Sequence, residues 1–342
     1  MSGMRKPMIV VAPPAVAPSR SRRRMGFQVE IALTVAGLLA FVLFPQNLGL
    51  LTNMAVMSIF ALSLSLVLGQ AGIATLGQAA TYGSGAYVAA WTALYFSTDP
   101  MVGLLLGGLG GGLIALLSGA VMLRSTKLTL VMLTIAAAQF LLELANWARE
   151  ITGGDDGLSG FSVGPLFGIW EFNFLGHTGY LYALGALVLV YFLVRNLVES
   201  PFGLTARAIR QDAGRIAALG GRVYPHLLAV YTVGGFLAGI AGALTAQTSK
   251  VANLSTLDFQ TSTGVVVMMV LGGRRRLSGA VLGTVAFMTI QHIASTLNPH
   301  HWLFVIGLML IFVLVVLPEG LIGIVDRTVL LVRRFGRKGT SV

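Results

Sequence analysis

The sequence predicts an all-α fold: a polytopic transmembrane helical bundle of about ten spans, with the N-terminus and the C-terminus both cytoplasmic. Three observations carry that expectation. Hydrophobic residues make up 56% of the 342 positions and charged residues only 10%, against about 25% charged in an ordinary soluble domain. Apolar runs follow one another along the chain, and runs of about 18 residues or more are long enough to cross a bilayer core as helices. The charges also separate by side once spans are drawn.

Spans are expected at 28–45, 50–68, 79–97, 101–123, 128–147, 179–197, 227–249, 259–273, 278–296 and 302–318. With the N-terminus inside, all but Arg149 and Lys250 of the 23 basic residues fall on the cytoplasmic side. They lie in the arm before the first span, the turn at Arg124 and Lys127, and the loop from Arg195 to Arg222. The rest occupy the turn at Arg274, Arg275 and Arg276 and the tail after Asp326. The external loops carry Asp99, Glu150, Asp155, Asp156, Glu171 and Asp258 instead. An excess of Lys and Arg in cytoplasmic segments therefore accounts for the net charge of +11, and nucleic-acid binding is not needed to explain it.

The domain organisation follows. Residues 1–27 read as a disordered basic cytoplasmic arm, 28–323 as the transmembrane domain, and 324–342 as a basic cytoplasmic tail. Within the domain, 149–178 forms an external loop and 198–226 a cytoplasmic loop. The first apolar run follows Arg24 with no small-residue cleavage site before Pro45 and with further spans behind it, so it reads as a span and not as a cleaved leader. With no cysteine, disulfides and cysteine-ligated metals are excluded.

Small residues mark helix contacts. Gly103/Gly107, Gly107/Gly111, Gly108/Gly112, Gly235/Gly239 and Gly279/Gly283 are small-xxx-small pairs. In lipid such pairs let backbones approach closely where apolar burial cannot drive association. The external loop from Arg149 to Gly179 is rich in Gly, Asp and aromatics, and fits either a packed lid or a docking surface.

The cytoplasmic loop has helical punctuation. Ser200 is placed to cap, Pro201 fits the first helical position, and Gly220 with Gly221 supplies the stop. Between them Ala206, Ile209, Ala213, Ile216 and Ala217 follow the helical period, with Arg207, Arg210 and Gln211 off that stripe. One reading is an interfacial helix on anionic lipid. The other is a helix gripped by a soluble partner, which the small Ala and Gly side chains favour.

No GxxxxGK[ST] loop, metal-ligand spacing of the histidines, or GxSxG turn occurs. Two polar groups interrupt the apolar body. The first is "VLGQAGIATLGQAATYGSGAYVAA", residues 67–90, where Gln70, Thr75, Gln78 and Ser84 lie among five glycines. Irregular backbone at membrane depth is tolerated only where protein or a water-filled cavity surrounds it. The stretch fits a broken or re-entrant element, or a glycine-rich turn. The second is Gln139, Glu143 and Asn146, aligned on one helix face by spacings of four and three. Such a face either lines a pathway or reaches headgroup water from near the span end. All seven are candidate pathway-lining residues.

These pieces together resemble the integral permease subunit of the branched-chain amino-acid ABC importers. The resemblance rests on "LSLVLGQAGIATLGQAATYGSGAYVAA", "TGGDDGLSG", "SPFGLTARAIRQDAGRIAALG", "VLGGRRRLSGAVLGT" and "VVLPEGLIG", in that order from about Ala55 to Gly323. It implies a subunit of the bacterial-type inner membrane that pairs with a second, related permease subunit. Two cytoplasmic ATPase subunits would drive it, and an external solute-binding protein would deliver substrate. ATP and Mg would sit on those ATPase partners, with no cofactor on this chain. The segment Pro201 to Gly220 would be the coupling helix, with Pro201, Gly203, Arg207, Arg210, Asp212, Ala217 and Gly220 as coupling residues. The chain departs from the family at Arg274, Arg275 and Arg276, where small or apolar residues are usual after "VLGG". Permeases of this kind serve branched-chain and other amino acids, urea and amides, and aromatic or other organic acids. A proton-coupled secondary transporter using Glu143 is the competing class.

Overall fold

The computed structural model describes residues 34–125, 127–165, 170, 176–273, 276–297, 304, 307, 308 and 321. The basic arm, the tail, Arg274, Arg275 and nearly all of the expected span 302–318 lie outside the described residues.

The described chain is a helical bundle. Its helices are α1 (Thr34–Leu43), α2 (Leu48–Leu64), α3 (Gln78–Tyr95), α4 (Pro100–Met122), α5 (Lys127–Trp147) and the short α6 (Arg149–Thr152). They continue as α7 (His177–Glu199), α8 (Pro201–Gln211), α9 (Ala213–Ala218), α10 (Val223–Ser249), α11 (Phe259–Gly272) and α12 (Leu277–Leu297). A π-helical segment, Ser65–Gln70, extends α2. Two short strands, β1 (Leu158–Ser159) and β2 (Val251–Ala252), pair antiparallel with Leu158 opposite Ala252.

Among the described residues, six helical stretches are long and apolar enough to cross a membrane: Pro45–Gln70, Pro100–Met122, Leu128–Trp147, His177–Glu199, Val223–Ser249 and Leu277–Thr296. Two shorter apolar helices, Thr34–Leu43 and Phe259–Gly272, accompany them. Helix α3 is not among the six, because Gln78, Thr81, Ser84, Thr92 and its glycines dilute its apolar character. It is covered by protein instead, packed against α4 and α10.

Helix α2 runs through the middle of the bundle, with 78% of its apolar window buried, whereas α5 lies at the edge with 17%. Glycines allow the tightest contacts. An added Cβ at Gly107 would lie 2.7 Å from Ala243 Cβ and 2.8 Å from the Gly85 carbonyl oxygen. At Gly111 it would lie 2.6 Å from the Gly235 carbonyl oxygen. The small-residue pairs of α4 and α10 thus interlock, with α3 against both, as backbone approach in lipid requires. Gly272, Gly279 and Gly283 do the same in the α11–α12 hairpin.

The loop over 198–226 differs from the expectation of one helix with one apolar stripe. The chain breaks at Asp212, whose backbone is extended (φ −156°, ψ 95°) and whose carboxylate accepts from the Arg215 N–H at 2.9 Å. That cap starts α9 as a separate helix. Ala206 and Ile209 are buried as the period predicts, but Ala213 and Ala217 are exposed. Ser200 occupies the expected position, yet its hydroxyl donates to the Leu197 carbonyl at 2.6 Å and not to the start of α8. Pro201 at the first helical position and Gly220 in the left-handed region (φ +83°) fall where the sequence placed them.

Candidate functional site

Helix α8 is seated on the inner ends of three others. Its buried stripe is Gly203, Ala206 and Ile209. Gly203 lies so close to the Val198 carbonyl that any side chain there would overlap it. Arg207 Nη2 donates to the same Val198 carbonyl at 3.0 Å, in the last turn of α7. Arg210 Nη1 donates to the Gly69 carbonyl in the π-helical end of α2. Both acceptors sit at helix C-termini, where unpaired carbonyls favour a cation. A third contact joins α8 to α10: His226 Nε2 is 3.0 Å from the Phe202 carbonyl, and the two rings lie 4.6 Å apart.

The opposite side of α8 and most of α9 face outward. Pro201, Leu204, Thr205, Arg210 and Gln211 are exposed, as are Ala213, Ala217 and Leu219. Leu219 is 78% exposed. The seven expected coupling residues therefore divide. Pro201, Asp212, Ala217 and Gly220 lie on this outer surface. Gly203 is buried, and half-buried Arg207 and exposed Arg210 turn their guanidinium groups onto the chain's own carbonyls.

Beyond α2 the chain leaves helical geometry over Ala71–Gly77 and resumes it at Gln78. This break lies beside α5, α10 and α11. Leu76 N–H donates to Thr134 Oγ1 at 3.3 Å, and Ala79 N–H donates to Ser262 Oγ at 2.8 Å. Thr75 Oγ1 accepts from Gly77 N–H at 3.2 Å, and its side chain is hydrogen-bonded to Tyr231, which also bonds Ser118. Gly77 is forced by its approach to the Thr134 carbonyl. Ala71, Ile73, Thr75 and Gly77 of the break are buried while Gly72 is exposed, so most of its irregular backbone is covered by protein, the condition under which non-helical backbone survives at this depth.

Gln70, Thr75 and Gln78 are all buried inside the chain, at 4%, 2% and 1% exposure. Neither polar atom of the Gln78 amide has a hydrogen-bond partner among the described residues. Ser84 is half-buried and donates to the Thr81 carbonyl of its own helix at 2.9 Å.

The second polar group is placed differently. Leu130, Thr134 and Ala138 form the buried stripe of α5. Gln139 and Glu143 are exposed among outward apolar residues that include Phe140 and Trp147. Asn146 is half-buried, and its Oδ1 is buried without a hydrogen-bond partner among the described residues. The two polar groups do not converge on one site within the chain. Sequence reasoning marked Gly72 only as one of the glycines that punctuate the stretch expected to bend. It missed Thr134, Tyr231 and Ser262, which are placed by packing between distant segments.

Residues 47–314 match the family described as the branched-chain amino acid transport system / permease component. The high-affinity branched-chain amino acid transport system permease protein LivM of Salmonella typhimurium is 26% identical over 330 residues, covering 90% of this chain and 77% of that protein. LivM of Escherichia coli matches with the same identity and coverage. No solved structure matches the chain. With the family matched across residues 47–314, the chain belongs to the branched-chain amino acid transport permeases, as a transmembrane component.

Proposed function

We propose that the chain is the membrane-spanning permease subunit of an ATP-driven, binding-protein-dependent importer of branched-chain or related amino acids. The observation that carries this reading is α8. It is a helix outside the apolar body, fixed to α2, α7 and α10 on one side and open on the other. A chain that hydrolyses no ATP itself needs such an element to receive force from a soluble subunit, and the curated relatives are permease proteins of a branched-chain amino acid transport system.

The cytoplasm is on the α8 side. Arg124, Arg207, Arg210, Arg215 and Arg222 belong to that end, while Asp99, Glu150, Asp155, Asp156 and Asp258 belong to the other. This supports ten spans with both termini inside. The open face of α8 and α9 is the seat of one of two ATPase subunits, which hold ATP and Mg. The exposed Gln139 and Glu143 of α5 face a second permease subunit, because a carboxylate turned outward at membrane depth is costly against lipid. Substrate passes along that contact after delivery by an external solute-binding protein in the inner membrane's outer compartment.

Co-expression with candidate ATPase subunits provides the test. Wild-type chain retains them through purification, and Leu204→Asp on the open face of α8 releases them. Retention of the ATPase by the Leu204→Asp chain, or uptake by this chain alone without ATP, refutes the reading. Urea, amides and organic acids compete with leucine in the same uptake assay, which separates the substrate classes.

A further inference from the structure

The arginines of α8 are not equivalent. Arg207 bonds Val198, only nine residues away and in the turn that leads directly into its own helix. Arg210 bonds Gly69, 141 residues away. It is therefore the α8 arginine whose side chain reaches a distant segment of the bundle.

The segment it reaches is the place where α2 stops. Gly69 lies in the π-helical end of α2, and Gly72 follows it in the left-handed region at φ +73°. The aliphatic stem of Arg210 lies against Gly72: a Cβ on that residue would be 2.7 Å from Arg210 Cγ and 3.2 Å from Cδ. Arg210 thus grips the break twice, through its guanidinium on one side and its methylenes on the other. The far end of the break is anchored elsewhere, by Thr134 of α5 and Ser262 of α11. A displacement of α8 must then strain or reshape Ala71–Gly77, and with it the start of α3 and the unpartnered Gln78.

We propose that Arg210 is a positioning residue of the transport cycle, a latch that passes motion of α8 to the break between α2 and α3. The proposal rests on the importer reading above and changes the role of Arg210 within it. Arg210 is an exposed residue at the rim of α8, but its guanidinium is held on the permease's own Gly69 carbonyl, and the ATPase grips the face that carries Leu204. A hydrogen bond from a charged donor weights an equilibrium by about tenfold to a hundredfold, which is enough to couple two conformations.

The test uses the full complex in liposomes with its solute-binding protein. Arg210→Gln keeps the ATPase subunits through purification, while substrate moved per ATP hydrolysed falls by about tenfold or more. Arg210→Lys, with one ammonium in place of the fork, recovers part of that loss. Gly72→Ala displaces the stem while retaining the guanidinium, and uncouples transport in the same way. A second readout does not depend on the ATPase: the chain has no cysteine, so Ala74→Cys supplies a single thiol within the break. Its labelling by a membrane-impermeant maleimide from the α8 side is slow, and Arg210→Gln speeds it about tenfold. Unchanged transport per ATP, or release of the ATPase by Arg210→Gln as complete as by Leu204→Asp, overturns the latch. If the wild-type chain recruits no ATPase, the importer reading fails, and the labelling rate alone decides: no change on Arg210→Gln overturns the latch as well.

Discussion

The two polar groups at membrane depth contain similar side chains and have opposite surroundings. Gln70, Thr75 and Gln78 are enclosed by the chain itself, whereas Gln139 and Glu143 face away from it. The first group accompanies a break in the backbone, where amides and hydroxyls stand near N–H and C=O groups that no helix satisfies. The second sits on an unbroken helix whose own hydrogen bonds are complete. A polar residue near a break has a structural use inside the chain, and a polar residue on an intact outer face has none there. The difference assigns the enclosed group to shape and motion, and the outward group to whatever lies across α5.

Three substitutions break or sharpen that contrast. The largest effect belongs to Gly77→Leu, which drives a side chain into the Thr134 carbonyl and costs about 3 kcal/mol or more. Loss of the monodisperse chain in detergent reads it out, with Gln139→Leu on the open face of α5 leaving the chain intact. Next comes Gln78→Leu. An amide buried without partners costs about 1–3 kcal/mol, so leucine raises the melting temperature of the purified chain while transport by the complex falls about tenfold. A lowered melting temperature would mean that the amide is satisfied inside the chain and that the enclosed group is only scaffolding. Smallest is Glu143→Gln, which keeps uptake within about threefold, well under the 1.36 kcal/mol that a tenfold change represents. Abolished uptake would instead identify Glu143 as a proton carrier and remove the reason for an ATPase.

Most helix positions were legible because the long apolar runs, Pro100, Pro201 and Gly220 mark their own ends. What escaped was the direction of side chains that answer to distant backbone. The stripe through Ala206, Ile209, Ala213 and Ala217 is continuous on paper, yet Asp212 caps a new helix and turns the later alanines outward. Arg207 and Arg210 lie off the apolar stripe, which suggested exposure to a partner. Arg210 is exposed and Arg207 half-buried, yet their long stems carry the charge back to helix ends, a reach that periodicity does not encode. The polar group on α5 was read as one face from spacing alone, and it is one face. Spacing could not say whether that face looked into the bundle or out of it.

The ribbon of β1 and β2 has a consequence for how the chain is made. Leu158 pairs with Ala252, and Gly157 packs against the Ala252 carbonyl and Asn253. The glycine-rich segment after α6 therefore lacks its partner until α7 through α10 have been synthesised and inserted. At about 5–20 residues per second that interval lasts roughly 5–20 seconds, during which α3, which packs against both strands, lacks the completed ribbon. Membrane insertion of the first half is thus finished only by the second, since α3 and α4 pack on α10 and α2 packs on α11 and α12.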